Sequence, residues 1–331
     1  MQSRSITAEI KAQLISIGSV SVDPALVPGS FGSTAGPGAG TSSVFFRAGS
    51  QRVRLNINKA SPLSIEKVGE DGTLAILKDG VQLVCGRLER ALAHCPEQAF
   101  VTLCESCIFN CSYCPVPKLQ GGIKTDKEVL DIVDAVAKAG KLKAISLTSG
   151  VEESVEAEVQ RVLKLLPELR KYEVPIGVSV YPTEGCSKKF FEAGATEVKY
   201  NVETMEPDIF KKVCKDLDRT YILDKLEEAV EIFGKNKVHS NFIIGLGESD
   251  ACVKAGVEAL AKRGIIPILR PISPHPLRVG SCFMERPTPK RLLKLAKMEK
   301  EILEKYGLRP DFAKSMCLSC GGCDLVPFVD F

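Results

Sequence analysis

From about residue 99 onward the chain alternates short apolar strands with amphipathic helices, and few folds accommodate six such units in a row. Candidate strands cover 100–103, 144–148, 176–180, 197–202, 240–245 and 265–270. The helices between them carry their own signals. Thr125 and Glu128 form a capping box for a helix over 126–139 that stops at Gly140. Val155, Val159, Val162 and Leu166 make the apolar stripe of the next helix. Leu226, Ala229, Val230 and Phe233 do the same before Gly234, and a helix over 251–262 runs into Arg263-Gly264. Such β/α units imply parallel strands joined by right-handed crossovers, hence an α/β fold that is either a barrel or a doubly wound sheet.

What flanks this core reads differently. Residues 1–24 suggest a short amphipathic helix and a loose strand, and 28–43 are rich in Gly, Ser, Pro and Ala, as a loop or linker is. Residues 44–85 alternate apolar and polar positions, with turns at Ala48-Gly49-Ser50, Glu70-Asp71-Gly72 and Lys78-Asp79-Gly80, which predicts a small antiparallel sheet appended to the main domain. After Arg286 come one helix over 289–306 and a cysteine-dense tail. The expected division is 1–98, 99–285 and 286–331.

Thirteen cysteines in 331 residues are the compositional outlier. The first thirty residues contain charged Arg4, Glu9 and Lys11 and no long apolar run, so no secretory leader is expected. Nor does any segment approach the roughly 18 uninterrupted apolar residues of a membrane span. A reducing, cytoplasmic setting is therefore expected, where clustered cysteines bind metal more often than they cross-link. The formal charge of +3 is small and well mixed, so neither nucleic acid nor membrane is an expected partner.

The first strand runs directly into a cluster: Cys104, then Cys107, Cys111 and Cys114 at CxxxCxxC spacing. Three thiolates at such short spacings can hold three corners of a [4Fe–4S] cube and leave the fourth iron open. Spacing alone also allows a structural zinc site with Cys104 as its fourth ligand. The position just after a strand of a β/α series, where barrels place active sites, favours the cube.

Further motifs fall at successive strand ends, and together they resemble the radical S-adenosylmethionine (radical SAM) family. Tyr113 precedes the last cysteine of the triad, as an aromatic does in that family's signature. Thr148-Ser149-Gly150 resembles the segment that binds the methionine amino group. Asn201-Val202-Glu203-Thr204 looks like the Asn-Val-Glu-Thr of lipoyl synthases, and Gly245-Leu246-Gly247-Glu248 like a Gly-Leu-Gly-Glu of biotin and lipoyl synthases. Residues 267–276 resemble the sixth-strand region that touches adenine, with Arg270 a candidate for the methionine carboxylate and His275 for stacking on adenine. The resemblance spans roughly 99–277. It implies a partial (β/α)6 TIM-type barrel in which Cys107, Cys111 and Cys114 hold the catalytic cluster. Tyr113, Ser149, Gly150, Asn201, Glu203, Gly245, Glu248, Arg270 and His275 would then surround S-adenosylmethionine. In that family, reduction of the cluster cleaves the cofactor to methionine and a 5′-deoxyadenosyl radical.

Cys317, Cys320 and Cys323, at CxxCxxC spacing with a Gly pair, read as a second, auxiliary [4Fe–4S] site in the C-terminal extension, with a zinc knuckle as the alternative. The fourth ligand is open among Cys104, Cys282, Cys95, Ser319 and substrate. A cube held by only three protein cysteines would be the easier one to dismantle as a sulfur source. Cys85, Cys186, Cys214 and Cys252 read as isolated structural thiols, and His94 and His239 as structural histidines.

Within the family, the Asn-Val-Glu-Thr and Gly-Leu-Gly-Glu segments and the overall layout resemble lipoyl and biotin synthases, among them the archaeal-type "biotin synthase-related" proteins that work in pairs as lipoyl synthases. This implies sulfur insertion into a protein-bound octanoyl chain, a second radical SAM subunit, a lipoyl carrier protein and a low-potential ferredoxin- or flavodoxin-type donor. Two departures stand out. The auxiliary cysteines lie C-terminal rather than N-terminal to the barrel, and the terminal Arg-Ser-Ser-Tyr of ordinary lipoyl synthases is absent. Other two-cluster activities in peptide or cofactor maturation, and a non-catalytic iron–sulfur or zinc protein, are the alternatives.

Overall fold

The structure, a computed structural model, describes residues 5–27, 31–32, 36–69 and 71–331. Parts of the 28–43 segment, the first four residues and Glu70 of the Glu70-Asp71-Gly72 turn lie outside them. Helix α1 (Ala8–Ile17) starts at Thr7, whose hydroxyl accepts the Ile10 N–H, and stops at left-handed Gly18. Strands β1 (Ser19–Val22), β2 (Phe31–Gly32), β3 (Ser42–Ala48), β4 (Gln51–Ile57), β5 (Leu63–Lys67), β6 (Leu74–Lys78) and β7 (Val81–Glu89) follow.

These strands pair in the order β2-β3-β4-β1-β5-β6-β7, and β3 also pairs with β7. The ring therefore closes: β3, β4, β1, β5, β6 and β7 form a small barrel with no free edge of its own, and β2 adds to β3. The expected antiparallel sheet is thus corrected in one respect. Strand β1 inserts between β4 and β5 and runs parallel to both. Local alternation identifies strands, but it carries no information about which distant strand fills a gap.

The larger domain alternates as the sequence predicts. Its strands are β8 (Gln98–Thr102), β9 (Ala144–Thr148), β10 (Ile176–Ser179), β11 (Glu197–Lys199), β12 (Val238–Ile244) and β13 (Ile266–Pro271). The helices are α2 (Asp126–Lys138), α3 (Val155–Leu169), α4 (Cys186–Ala193), α5 (Pro207–Val213), α6 (Arg219–Phe233), α7 (Asp250–Lys262) and α8 (Pro289–Tyr306), with a short α9 (Met316–Cys320) in the tail. The capping box at Thr125 and Glu128 is present in both directions. The strands pair in sequential order and all in parallel, with β8 and β13 at the two edges. This is a partial barrel, and it decides between the two architectures left open above.

The two ends of the chain hold this barrel between them. Helix α1 packs on α8, and the Arg54 N–H of the small barrel donates to the Gly322 carbonyl of the tail at 2.7 Å. Lys11 and Asp330, both buried, form an ion pair at 2.8 Å. The tail itself enters the barrel from below, at the N-terminal ends of the strands. Glu197 accepts the Lys314 and Ser315 N–H groups at 2.8 and 2.9 Å. Gln98 accepts the Met316 N–H at 2.9 Å and donates to the Met316 carbonyl at 3.1 Å, while the Ser146 hydroxyl accepts the same N–H. Gly177 leaves room for this: an added Cβ would collide with the Ser315 hydroxyl and the Met316 side chain. Among the described residues no helix is long and apolar enough to cross a membrane.

Candidate functional site

The loop that carries Cys107, Cys111 and Cys114 is held on all sides by its neighbours. Gly150 donates to the Cys104 carbonyl at 2.8 Å, Ile108 donates to Val151, and Ser112 donates to Val213 at the end of α5. Any side chain at Gly150 would strike the Ser106 and Cys104 carbonyls, so the close approach of the two loops requires glycine. Arg278, nearly fully buried, donates from Nε to the Cys114 carbonyl and from Nη2 to Asn110 Oδ1, at 2.5 and 2.7 Å. A chain with so many backbone anchors presents its thiols in a fixed arrangement before any cluster binds.

Those thiols open onto a cavity of about 310 Å³. Its wall contains Cys107, Cys111, Cys114 and Tyr113 from the loop, and Ser149 and Gly150 after β9. Asn201 and Glu203 follow β11, Arg270 comes from β13, and Cys317 and Cys323 come from the tail. Ile15, Gly18, Gly36, Gly38, Arg54 and Asn56 of the N-terminal region complete it. The small barrel, which the sequence presents as an appendage, therefore supplies part of the wall.

The cavity has a marked polar seam along one strand line. Lys199, Asn201 and Glu203 all line it, while Glu197, two residues before Lys199 on the same strand, meets the tail at the barrel floor. Glu203 has φ +59°, a left-handed conformation that costs an L-residue roughly 1–2 kcal/mol. Backbone bonds compensate: its N–H donates to Asn241 and its carbonyl accepts from Ile243, at 3.1 and 2.7 Å. Burial raises the Glu203 carboxyl to about 7, against the lowering effect of Lys199 and of hydrogen bonds with Tyr113 and Asn201. Asn241 also lines the cavity, and its Oδ1 is buried with no hydrogen-bond partner among the described residues. Buried acceptors of this kind are completed by a ligand with hydroxyl or ammonium donors, which a nucleoside carrying an amino acid has.

Burial pushes the Cys107 thiol up and the Cys114 thiol up to about 12. The Cys111 thiol is raised first by a hydrogen bond with Cys214 and then by burial. Cys214 is therefore not an isolated thiol: it backs Cys111, and its Sγ lies 3.8 Å from the Tyr113 hydroxyl. Among the described residues no three His, Cys, Asp or Glu side chains converge closely enough to hold a single metal ion. A donor set made only of cysteine thiols is the kind an iron–sulfur cube takes.

Residues 101–260 match the family model described as Radical SAM superfamily. This stretch is a radical SAM superfamily domain. Solved structures agree on the fold. A methylornithine synthase superposes with a TM-score of 0.51 at 14% identity, covering 64% of this chain and 69% of that one. The FeFe-hydrogenase maturase HydG from Carboxydothermus hydrogenoformans gives 0.50 at 21% identity, covering 63% and 52%. Curated relatives include the bacteriochlorophyllide c C-7(1)-hydroxylase of Chlorobaculum limnaeum, 26% identical over 179 residues (49% of this chain, 44% of that protein). The lipoyl synthase of Chlamydia caviae is 27% identical over 210 residues, covering 57% of this chain and 64% of its own. The chain thus spans less than two thirds of the length of these curated relatives.

Within and beside the radical SAM domain, the residues singled out from sequence separate into two groups. Tyr113, Ser149, Gly150, Asn201, Glu203 and Arg270 meet at the cavity with the first cysteine triad. Arg270 arrives there already paired with Asp324 of the tail at 2.9 Å. Gly245, Glu248 and His275 are not among the residues lining it. The Glu248 carboxylate accepts the Gly245 and Leu246 N–H groups at 2.8 Å each and pairs with Arg291 of α8, so it is engaged in holding this turn. His275 Nδ1 caps the 276–278 turn by accepting the Leu277 N–H. Arg278, Lys199, Asn241 and the backing role of Cys214 are absent from the sequence reading. For Lys199 a signal existed, because buried parallel strands are usually apolar and a polar alternate set marks an interior with work to do.

Proposed function

We propose that this chain is a radical SAM enzyme that activates an aliphatic carbon–hydrogen bond and inserts sulfur there, with a protein-bound octanoyl chain as substrate. When bound, the [4Fe–4S] cluster and S-adenosylmethionine supply the 5′-deoxyadenosyl radical. Cys107, Cys111 and Cys114 would hold the cluster. The Glu203 and Asn241 acceptors would orient the cofactor's donors, with Ser149, Gly150, Asn201 and Tyr113 around them. Phe109, Val151, Val180, Ile222, Ile243 and Ile272 give the same cavity an apolar wall for an alkyl chain and exclude water from it.

The observation that carries this reading is that Cys317 and Cys323 face the same cavity as the first triad. A carbon activated at one site would share its chamber with the sulfur at the other. The distant likeness to lipoyl synthase supports the substrate class, and a low-potential electron donor, a second radical SAM subunit and a lipoyl carrier complete the proposal.

The test supplies reconstituted protein, under a strong reductant, with an octanoylated lysine peptide deuterated along the chain and with a partner subunit. The proposal expects deuterium in 5′-deoxyadenosine and a thiolated peptide, with few insertions per protein. Deuterium transfer with no sulfur in the peptide would defeat sulfur insertion and leave hydrogen abstraction standing.

A further inference from the structure

We infer that Cys95 is the fourth protein ligand of the C-terminal cysteine site, so that Cys95, Cys317, Cys320 and Cys323 form a closed four-thiolate site for a four-iron cluster, with Lys199 as its buried counter-cation. The inference rests on the reading that the tail cysteines hold a cluster, and it goes further by fixing the coordination and the charge balance.

Cys95 lies three residues before the start of β8 and belongs neither to the radical SAM motif nor to the tail. It is nonetheless buried beside the tail, and its thiol shares a hydrogen bond with the Cys320 thiol. The placement is built rather than incidental. Cys95 bridges to Gln98, and the Gln98 side chain grips both the N–H and the carbonyl of Met316, the residue just before Cys317. Met316 itself is held at φ +59°, a turn an L-residue adopts only when its surroundings enforce it. One short network therefore sets the register between Cys95 and the three tail cysteines.

The other candidates are placed elsewhere. The Cys104 thiol is engaged by Ser106 in the loop of the first triad, Cys282 stands near Arg278, and Ser319 is exposed.

Charge gives the independent argument. Lys199 is 5% exposed, and its ammonium donates to Cys317 Sγ at 3.5 Å. Among the described residues no carboxylate pairs with it. Arg54, on the same cavity wall, donates from Nε to the Ser43 hydroxyl and likewise has no carboxylate ion pair. Arg52 and Arg270 also act on these thiols, although each has carboxylate partners. Among the described residues Lys199 is thus a buried cation with no carboxylate at ion-pair distance, which is costly, and anionic sulfur at Cys317 offsets that cost. Under the sulfur-insertion reading, one of the four thiolates must release its iron before a sulfide can leave the cube.

The experiment isolates this site in full-length protein with Cys107, Cys111 and Cys114 changed to Ala, reconstituted anaerobically. Ferricyanide is then added in stoichiometric amount, and electron paramagnetic resonance reads the [3Fe–4S] signal left when a cube loses an iron that lacks a cysteine ligand. This parent should bind about four irons and give little of that signal, whereas adding Cys95→Ala should raise the signal about tenfold at similar iron content. Cys95→Ser, a gentler change in volume, should shift the spectrum of the reduced cluster, while Cys282→Ala should not. A strong signal in the parent that Cys95→Ala leaves unchanged would overturn Cys95 as ligand while the tail cluster stands. No iron in the parent would overturn both.

Discussion

The two cysteine triads of this molecule reach one cavity by opposite routes, the second through Cys317 and Cys323. The first sits on a loop that leaves a strand end, and its ligands lie within eight residues of one another. The second is delivered by the chain terminus, which enters the barrel floor and is gripped there by Gln98, Ser146 and Glu197, more than a hundred residues away in sequence. A local motif announces its chemistry through spacing. A site assembled from distant segments depends on packing, and so its ligands, counter-ions and stability are linked to the fold as a whole.

The strongest way to break this comparison is to remove one site and count. Wild-type protein should bind about eight irons as two cysteine-ligated cubes, and the Cys317→Ala, Cys320→Ala, Cys323→Ala variant about four. Unchanged iron in that variant would mean that the tail holds no cluster.

Next comes the bond that ties the ends of the chain together. Lys11→Met leaves the Asp330 carboxylate buried and uncompensated, which should cost about 3–5 kcal/mol in urea unfolding. The Lys11→Met, Asp330→Asn double variant should recover part of this, since the two changes are coupled. Additive losses would show that the pair does not act as a unit.

A pH profile sharpens the contrast on the floor side. Burial lowers His239 to about 4, from an ordinary value of 6.5, and Glu197 beside it pulls the other way. The folded protein thus keeps this histidine neutral while the unfolded chain takes up a proton. Its contribution is complete above pH 6.5 and is lost as the pH falls toward 4, by about 3 kcal/mol. His239→Phe should flatten that part of the stability profile, and an unchanged slope would remove His239 from the account.

A smaller effect is expected from crowding the floor directly. Gly177→Ala puts a methyl group against Ser315 and Met316 and should cost about 1–3 kcal/mol, as overpacking does. It should also lower iron at the tail site while sparing the loop site. Equal loss at both would contradict the division between them.

The sequence made the barrel legible because each β/α unit states its own boundaries. The capping box at Thr125, the apolar stripe from Val159 to Leu166 and the full extent of α8 are local facts. The first triad was legible for the same reason. The closure of the N-terminal barrel by β1 was not, because a four-residue strand says nothing about its neighbours. Nor was the tail's route, since Gln98, Ser146 and Glu197 look like ordinary polar strand residues until Ser315 and Met316 are set between them. Gly245 and Glu248 show the converse case: a short motif can be satisfied by its own turn and one neighbouring helix, through Arg291, without lining the cavity.

If the loop triad generates the radical and the tail triad does not, the two sites separate in a single assay. The direct measurement is 5′-deoxyadenosine released from S-adenosylmethionine by anaerobically reconstituted protein under a strong reductant, across three forms of the chain. Wild type and the Cys317→Ala, Cys320→Ala, Cys323→Ala variant should both release it, and the Cys107→Ala, Cys111→Ala, Cys114→Ala variant should release none. Turnover that survives in the loop variant, or that disappears only in the tail variant, would contradict the account at its centre.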